Sequence, residues 1–512
     1  MSASIETANK GISFYKAKNY QSCIDVLSNY ITSSSFESLS TNNKEKLLFY
    51  TARSYEKLCR YNEALTTYSA LIELDNTNAT YHLNKGIVLI NLNQYENAVA
   101  SFDNGINTTS DKYILSSLYL NKGLTLNKIN QYDRAIETFD KGINETSSNH
   151  SSFYVNKGVS YYKQGHIGKA IDCYDKAIEL KPNDPFPHNN KGIALRNEKE
   201  YKKALGEFDT AIELNPEEPL SYYNKGMTLY LMHRLGEAIT EYDKAISIKS
   251  NYIEAIFEKG KCYIALNEIN EAITSFKTAL SIDKVHCNSM LHLGISYDMN
   301  GETSKAIETY DQLISLYPNY PDVYLNKGIL LYSIGKYTEA IENYNKAISF
   351  RPNFSEAYSN RGASLYKLNE YEKAIESYDK AIEISPKYVD AYMSKAVCLK
   401  NRGKYDEAIA TYDKAIEMKG DYYLIPYNKG VALFSLKKYE EAQKCFDRTI
   451  ELNKSYAPAY FNKGSIYIEL DKVKEAYEMF TKANELDPND NDIKEQLSYC
   501  KLKIKSEKTA II

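Results

Sequence analysis

The chain has 512 residues, 43% of them apolar and 25% charged, the proportions of a water-soluble globular protein. Its 63 basic and 67 acidic residues leave a net charge of −4, which supplies no general pull toward nucleic acid or an anionic membrane. Eight scattered cysteines without one Cys-x-x-Cys pair argue against a disulfide framework or a closely spaced zinc site, and 48 tyrosines with no tryptophan make tyrosine the main large aromatic.

In chain order, the opening residues Met1 to Thr7 carry neither a basic region nor an apolar run, so no signal peptide is expected. Nowhere does the chain reach the ~18 consecutive apolar residues of a membrane span, and the expected setting is cytoplasmic. The sequons at Asn78, Asn107, Asn144, Asn149, Asn353 and Asn453 are chance products of an Asn-, Ser- and Thr-rich sequence. A series of small residues then begins: Gly11, Ala52, Gly86, Gly123, Gly158, Gly192, Gly226, Gly260, Gly294, Gly328, Gly362, Ala396, Gly430 and Gly464. From Gly158 onward every step is 34 residues; the earlier steps of 41, 34, 37 and 35 locate small insertions near 31–45, 110–116 and 147–152. Fourteen units account for residues 4–490.

The units share an internal grammar. Twelve residues after the small residue comes alanine in thirteen of fourteen units, with Cys23 the exception. Sixteen after it comes Tyr or Phe, again in thirteen, with Leu27 the exception. Small residues let two helices approach where they cross, and the aromatic is expected to fill the space between that crossing and the next unit. Seven after the small residue stand Asn93, Asn130, Gly165, Asn267, Gly301, Gly335, Asn369 and Gly403, types that tolerate the left-handed conformation ending a helix. Pro182, Pro216, Pro318, Pro352, Pro386 and Pro488 mark the break before the following unit. With apolar residues at helical spacing, as in Ile329, Leu331, Ile341, Tyr344 and Ile348, each unit reads as helix, tight turn, helix.

This grammar resembles the tetratricopeptide repeat in length, in its small–aromatic–small pattern and in the closing proline. The tryptophan usual near the start of the family's first helix is absent. The resemblance implies an all-α, right-handed α-solenoid of about fourteen 34-residue helix-turn-helix repeats, with the first helices lining a concave groove. Residues 491–512 place Ile493, Leu497 and Cys500 at helical spacing among lysines and are expected to form the capping helix that covers the last apolar face.

Two residues before each small residue, a position the resemblance directs into the groove, stand Asn84, Asn121, Asn156, Asn190, Asn224, Asn326, Asn360, Asn428 and Asn462, with Asn9 as a tenth. An amide side chain complements the N–H and C=O of a peptide bond. The row resembles the asparagine ladder of the repeat domain in O-linked N-acetylglucosamine transferases. It is expected to grip extended polypeptide by its backbone; the competing reading has the amides bonded to the neighbouring repeat. Glu258 and His292 interrupt the row and suggest two groove segments. Flanking aromatics such as Tyr162, Tyr223, Tyr366 and Tyr427 are expected to pack between repeats. Glu254, Asp322, Glu356 and Asp390 form an acidic column in first helical turns, where the helix dipole favours them. The second asparagine of a chaperone-tail clamp is replaced by apolar residues such as Ile87, Leu124 and Val159.

No group of residues carries catalytic logic. Cys173 and Cys445 share one repeat position and Cys262 and Cys398 another, both packing slots; the seven histidines, His150 and His292 among them, are scattered. Lysines before the small residue (Lys85, Lys122, Lys157, Lys191, Lys225, Lys327, Lys429, Lys463) could read as a basic stripe, but an Asp recurs after the aromatic, as in Asp175 and Asp379, and is expected to neutralise it. The expected function is therefore a non-catalytic scaffold for other proteins or peptides in extended conformation. It would use no cofactor or metal and bind neither nucleic acid nor membrane, with self-association left open. The alternative is a substrate-targeting or adaptor subunit whose catalytic partner is a separate chain.

Overall fold

The computed structural model describes residues 2–146 and 151–510. Asn149 and His150, within the third expected insertion, lie outside the described residues. Those residues hold thirty α-helices and no strand. Twenty-eight of the helices form fourteen consecutive pairs; the other two are the four-residue Ser34–Glu37 and the terminal Asn491–Ala510. No described helix is long and apolar enough to cross a membrane. The pairs belong to two compact units, Met1–Leu266 and Asn267–Ile512, divided within the turn of the eighth repeat.

One repeat shows how the sequence builds them all. Asp184 accepts a hydrogen bond from the Phe186 N–H and Pro185 opens the first helix, Pro185–Asn197, a start favoured by an acceptor at the cap and a fixed φ at the first turn. The helix stops where Lys199 turns left-handed at φ 62° and Glu200 N–H closes on Leu195 O at 2.9 Å. The second helix, Tyr201–Leu214, ends with Asn215 N–H on Ala211 O at 3.0 Å. The residue seven beyond the small position is left-handed in every repeat. Eight of these are the expected Asn and Gly; the other six are Lys18, Cys59, Lys199, His233, Lys437 and Asp471, with φ between 55° and 62°.

The aromatic packs toward the next repeat, as the sequence suggested: Phe139 meets Phe153 with ring centres 6.3 Å apart, and Tyr242 and Tyr344 share a core with Ala255 and Ala357 of the repeats that follow. Its ring also lies directly on the small residue of its own repeat: a Cβ added to Gly328 would come within 2.5 Å of the Tyr344 ring, and one on Gly192 within 2.6 Å of Phe208. Glycine is therefore required by close approach, and the paired alanines, Ala204 and Ala340 for example, are fully buried beside the same ring. Two insertions are absorbed as helix. Thr41–Lys57 and Lys112–Lys128 run 17 residues where Ala79–Asn91 runs 13, and Ser34–Glu37 takes up the rest of the first insertion.

Ion pairs tie neighbouring repeats together. Seven of the eight lysines of the basic stripe reach the Asp after the preceding repeat's aromatic, as in Lys191–Asp175 at 2.7 Å, Lys429–Asp413 at 2.5 Å and Lys463–Asp447 at 2.6 Å. Lys395 does the same with Asp379 at 2.6 Å. Their stems are buried and their charges neutralised, so no basic stripe survives. At the end of the second unit, Asn491–Ala510 buries Ile493, Leu497 and Cys500 against Val473, Ala476, Phe480 and Ala483 of the last repeat.

Candidate functional site: the first-helix face

Within each unit the first helices of successive repeats touch one another. Ala79–Asn91 meets Lys112–Lys128, and Pro185–Asn197 meets Pro219–Leu231; in the second unit Pro321–Ser333 meets Ser355–Lys367. No pair of second helices approaches to the same extent among the described residues. Helices that crowd together lie on the inner side of a bend, so the first helices form the concave face of each unit.

The predicted asparagines all lie on first helices, two residues before the small position, but their amides are not equivalent. Asn84 and Asn224 are buried, 8% and 4% exposed; the other seven are half-buried. Asn121, Asn156, Asn326 and Asn428 each donate from Nδ2 to a carbonyl one turn back in their own helix at 2.8 Å. That bond leaves the amide oxygen and one N–H of each for another partner. Asn224 is held between repeats: it donates to Asn189 Oδ1 at 3.1 Å and accepts from Arg196 at 3.4 Å. Asn462 donates to the Tyr427 hydroxyl at 3.1 Å. The two interruptions are also engaged, Glu258 with Lys261 at 2.8 Å and His292 through Nδ1 with the Asn288 carbonyl at 2.9 Å.

The flanking aromatics pack between repeats. Tyr223 meets Tyr252 with ring centres 5.3 Å apart, and Tyr427 meets Tyr456 edge-on at 5.0 Å. In the acidic column, Asp322 is clamped by both guanidinium nitrogens of Arg351 at 2.7 and 3.0 Å. The cysteine slots are packing positions: Cys262 and Cys398 are fully buried, and burial pushes both thiols up to about 12. Cys173, pushed up to about 11 by the same cause, is equally far from a nucleophilic thiolate. Among the described residues no three of His, Cys, Asp and Glu are grouped so as to hold a metal ion.

The structure also brings to this face residues that sequence reasoning passed over. Arg196 and Lys400 lie four residues after their small positions, and the asparagine following each donates to a tyrosine hydroxyl of the preceding repeat: Asn197 to Tyr162 at 2.5 Å and Asn401 to Tyr366 at 2.8 Å. The available signal was an offset of 204 residues, six repeats, between two matching sets of residues.

Models of the tetratricopeptide repeat match residues 79–109, 116–149, 151–184, 220–252, 253–286, 288–320, 355–388, 389–422, 427–456 and 457–490, with further matches at 173–206 and 309–342. A model described as TPR repeat matches residues 328–369. No curated protein gives a significant match. Among solved structures, the chain is similar to one from the APC/C hetero-tetramer Cut9-Hcn1, at 14% identity over 91% of this chain and 97% of that one, TM-score 0.43. A tetratricopeptide repeat protein from Parabacteroides merdae is 23% identical over 48% of this chain and 98% of its own, TM-score 0.38. YrrB, described as a TPR protein with an unusual peptide-binding site, is 26% identical over 37% of this chain and 97% of its own, TM-score 0.30.

Proposed function

The chain belongs to the tetratricopeptide-repeat family, and from that premise we propose that it is a non-catalytic scaffold that holds extended segments of other proteins along its first-helix faces. The observation that carries this reading is the row of half-buried asparagines on the inner side of each unit, of which Asn121, Asn156, Asn326 and Asn428 keep an acceptor and a donor unspent by their intrahelical bonds. An extended chain presents alternating N–H and C=O groups, so a row of amides grips backbone and tolerates sequence variation. Nucleic acid and membrane surface are not its partners on this reading, because seven of the eight lysines that stand just before a small residue are paired with aspartates. Eight unpaired thiols fit work in the reducing cytoplasm.

The test is affinity capture from lysate by the full chain and by a variant carrying Asn121→Ala, Asn156→Ala, Asn326→Ala and Asn428→Ala, both first checked for helicity. Loss of a defined set of clients from the variant is the expected result. An unchanged set would make these asparagines structural and move the partner surface elsewhere. An enzyme captured at fixed stoichiometry would identify the chain as a targeting subunit rather than a freestanding scaffold.

A further inference from the structure

Two places on the first-helix faces, one in each unit, have the same construction. In the first, the Arg196 guanidinium is half-buried, lies among Tyr162, Tyr223 and Tyr242, and finds only the Asn224 carbonyl and amide oxygens, at 3.3 and 3.4 Å. In the second, Lys400 occupies the same register six repeats on and is half-buried as well. Neither cation has a carboxylate within ion-pairing distance among the described residues, and burial alone leads the downward pull on both. This sets them apart from Lys191 and Lys395, five residues earlier on the same helices, which bridge repeats and each have their aspartate.

Hydroxyl donors stand at both places, and at the first the Glu254 and Glu258 carboxylates also act on Tyr223. Tyr162 accepts a hydrogen bond from Asn197, and Tyr366 accepts one from Asn401. A hydroxyl that has accepted from an amide keeps its own proton to donate. Each place therefore offers a desolvated cation and a phenolic donor, with an asparagine of the row (Asn224 or Asn428) on the next first helix. The following repeat carries a tyrosine pair at the same register in both cases, Tyr223–Tyr252 and Tyr427–Tyr456, and Tyr223 acts on Arg196. A cation taken from water without a counter-charge is costly, and this chain keeps one at equivalent positions in both units.

We propose that these are two specificity pockets, each taking the carboxylate of one Asp or Glu side chain from an acidic, extended client. Arg196 binds its carboxylate through a planar fork, and Lys400 holds one as a point charge. The asparagines supply grip that ignores sequence; the two pockets supply the choice. This rests on the groove reading above, and the experiment separates the two ideas.

The full chain is titrated by fluorescence anisotropy with a labelled peptide of repeating Gly-Ser-Glu units and with its Gly-Ser-Gln counterpart. Wild type is expected to bind the glutamate peptide about ten-fold more tightly at low salt, a preference that shrinks as salt screens the charges. Arg196→Gln and Lys400→Gln each remove part of the preference, and together they abolish it without weakening the glutamine peptide. Asn121→Ala with Asn326→Ala weakens both peptides alike. Arg196→Met and Lys400→Met serve as folding controls and melt no lower than wild type, since each deletes a buried unpaired charge. Equal binding of the two peptides, or a preference that survives the double substitution, overturns the pockets and leaves the groove standing. Failure to bind either peptide also overturns the pockets, and so does binding of an oligoribonucleotide in their place.

Discussion

Two buried tyrosines carry a group they do not use. The hydroxyls of Tyr242 and Tyr412 are shut away from solvent without a hydrogen-bond partner, whereas equivalent positions in other repeats hold Phe102, Phe208 or Phe446. Stranding a hydroxyl in the interior costs ~1–3 kcal/mol. Tyr412→Phe should therefore stabilise its repeat by about 1 kcal/mol, seen as slower amide hydrogen exchange in Tyr405–Met418; faster exchange would mean that the hydroxyl has a partner. Asp298 makes a pH-dependent case. Burial alone pushes its carboxyl above the ordinary 3.8, so the fold favours the protonated form. Stability from this group is complete below 3.8 and is lost as pH rises through the raised value. Asp298→Asn should consequently melt higher than wild type at pH 7, with the gap closing as the pH falls toward 3.8; a gap that widens in acid would reverse the assigned sign. Residue-level chemistry was only partly legible. Asn224 announces its place in the row through the repeat, but its bonds to Asn189 and Arg196 depend on a neighbouring helix whose side chains vary from repeat to repeat.

At the scale of the element, the turn between paired helices demands a left-handed residue in all fourteen repeats. Eight turns were legible because Asn or Gly stands there. At His233, Lys199 and Lys437 the residue type gives no sign, and only the 34-residue register places them in the turn. Such residues bear a strain of roughly 1–2 kcal/mol that glycine avoids. His233→Gly and Lys437→Gly should each raise the melting temperature, whereas glycine placed one residue earlier, at Met232 or Leu436, should lower it. Equal effects at both positions would point to a general loosening of the turn rather than relief of strain. The same contrast explains the insertions. Spacing located them, but an added segment can become loop or helix, and lengthening Thr41–Lys57 and Lys112–Lys128 by one turn keeps backbone groups paired.

For the whole molecule, each repeat meets mainly its sequence neighbours, so stability is a sum of repeat and nearest-neighbour terms and an end matters only locally. The 34-residue period made this organisation legible, since equal units with apolar residues at the same spacing bury their faces by stacking on their neighbours. The second unit ends where Asn491–Ala510 covers Val473 and Phe480 with Ile493, Leu497 and Cys500. Placing a charge on that covering face by Leu497→Asp should release the terminal helix and expose the last repeat without touching any other. Hydrogen exchange is expected to quicken across Val473–Leu486 and Ala457–Glu469, to fade through Tyr439–Leu452, and to remain at wild-type rates in Ser355–Lys367. Uniform quickening along the unit would instead make it one cooperative block. In that case a client bound on the first-helix face would stabilise every repeat equally, rather than those it touches.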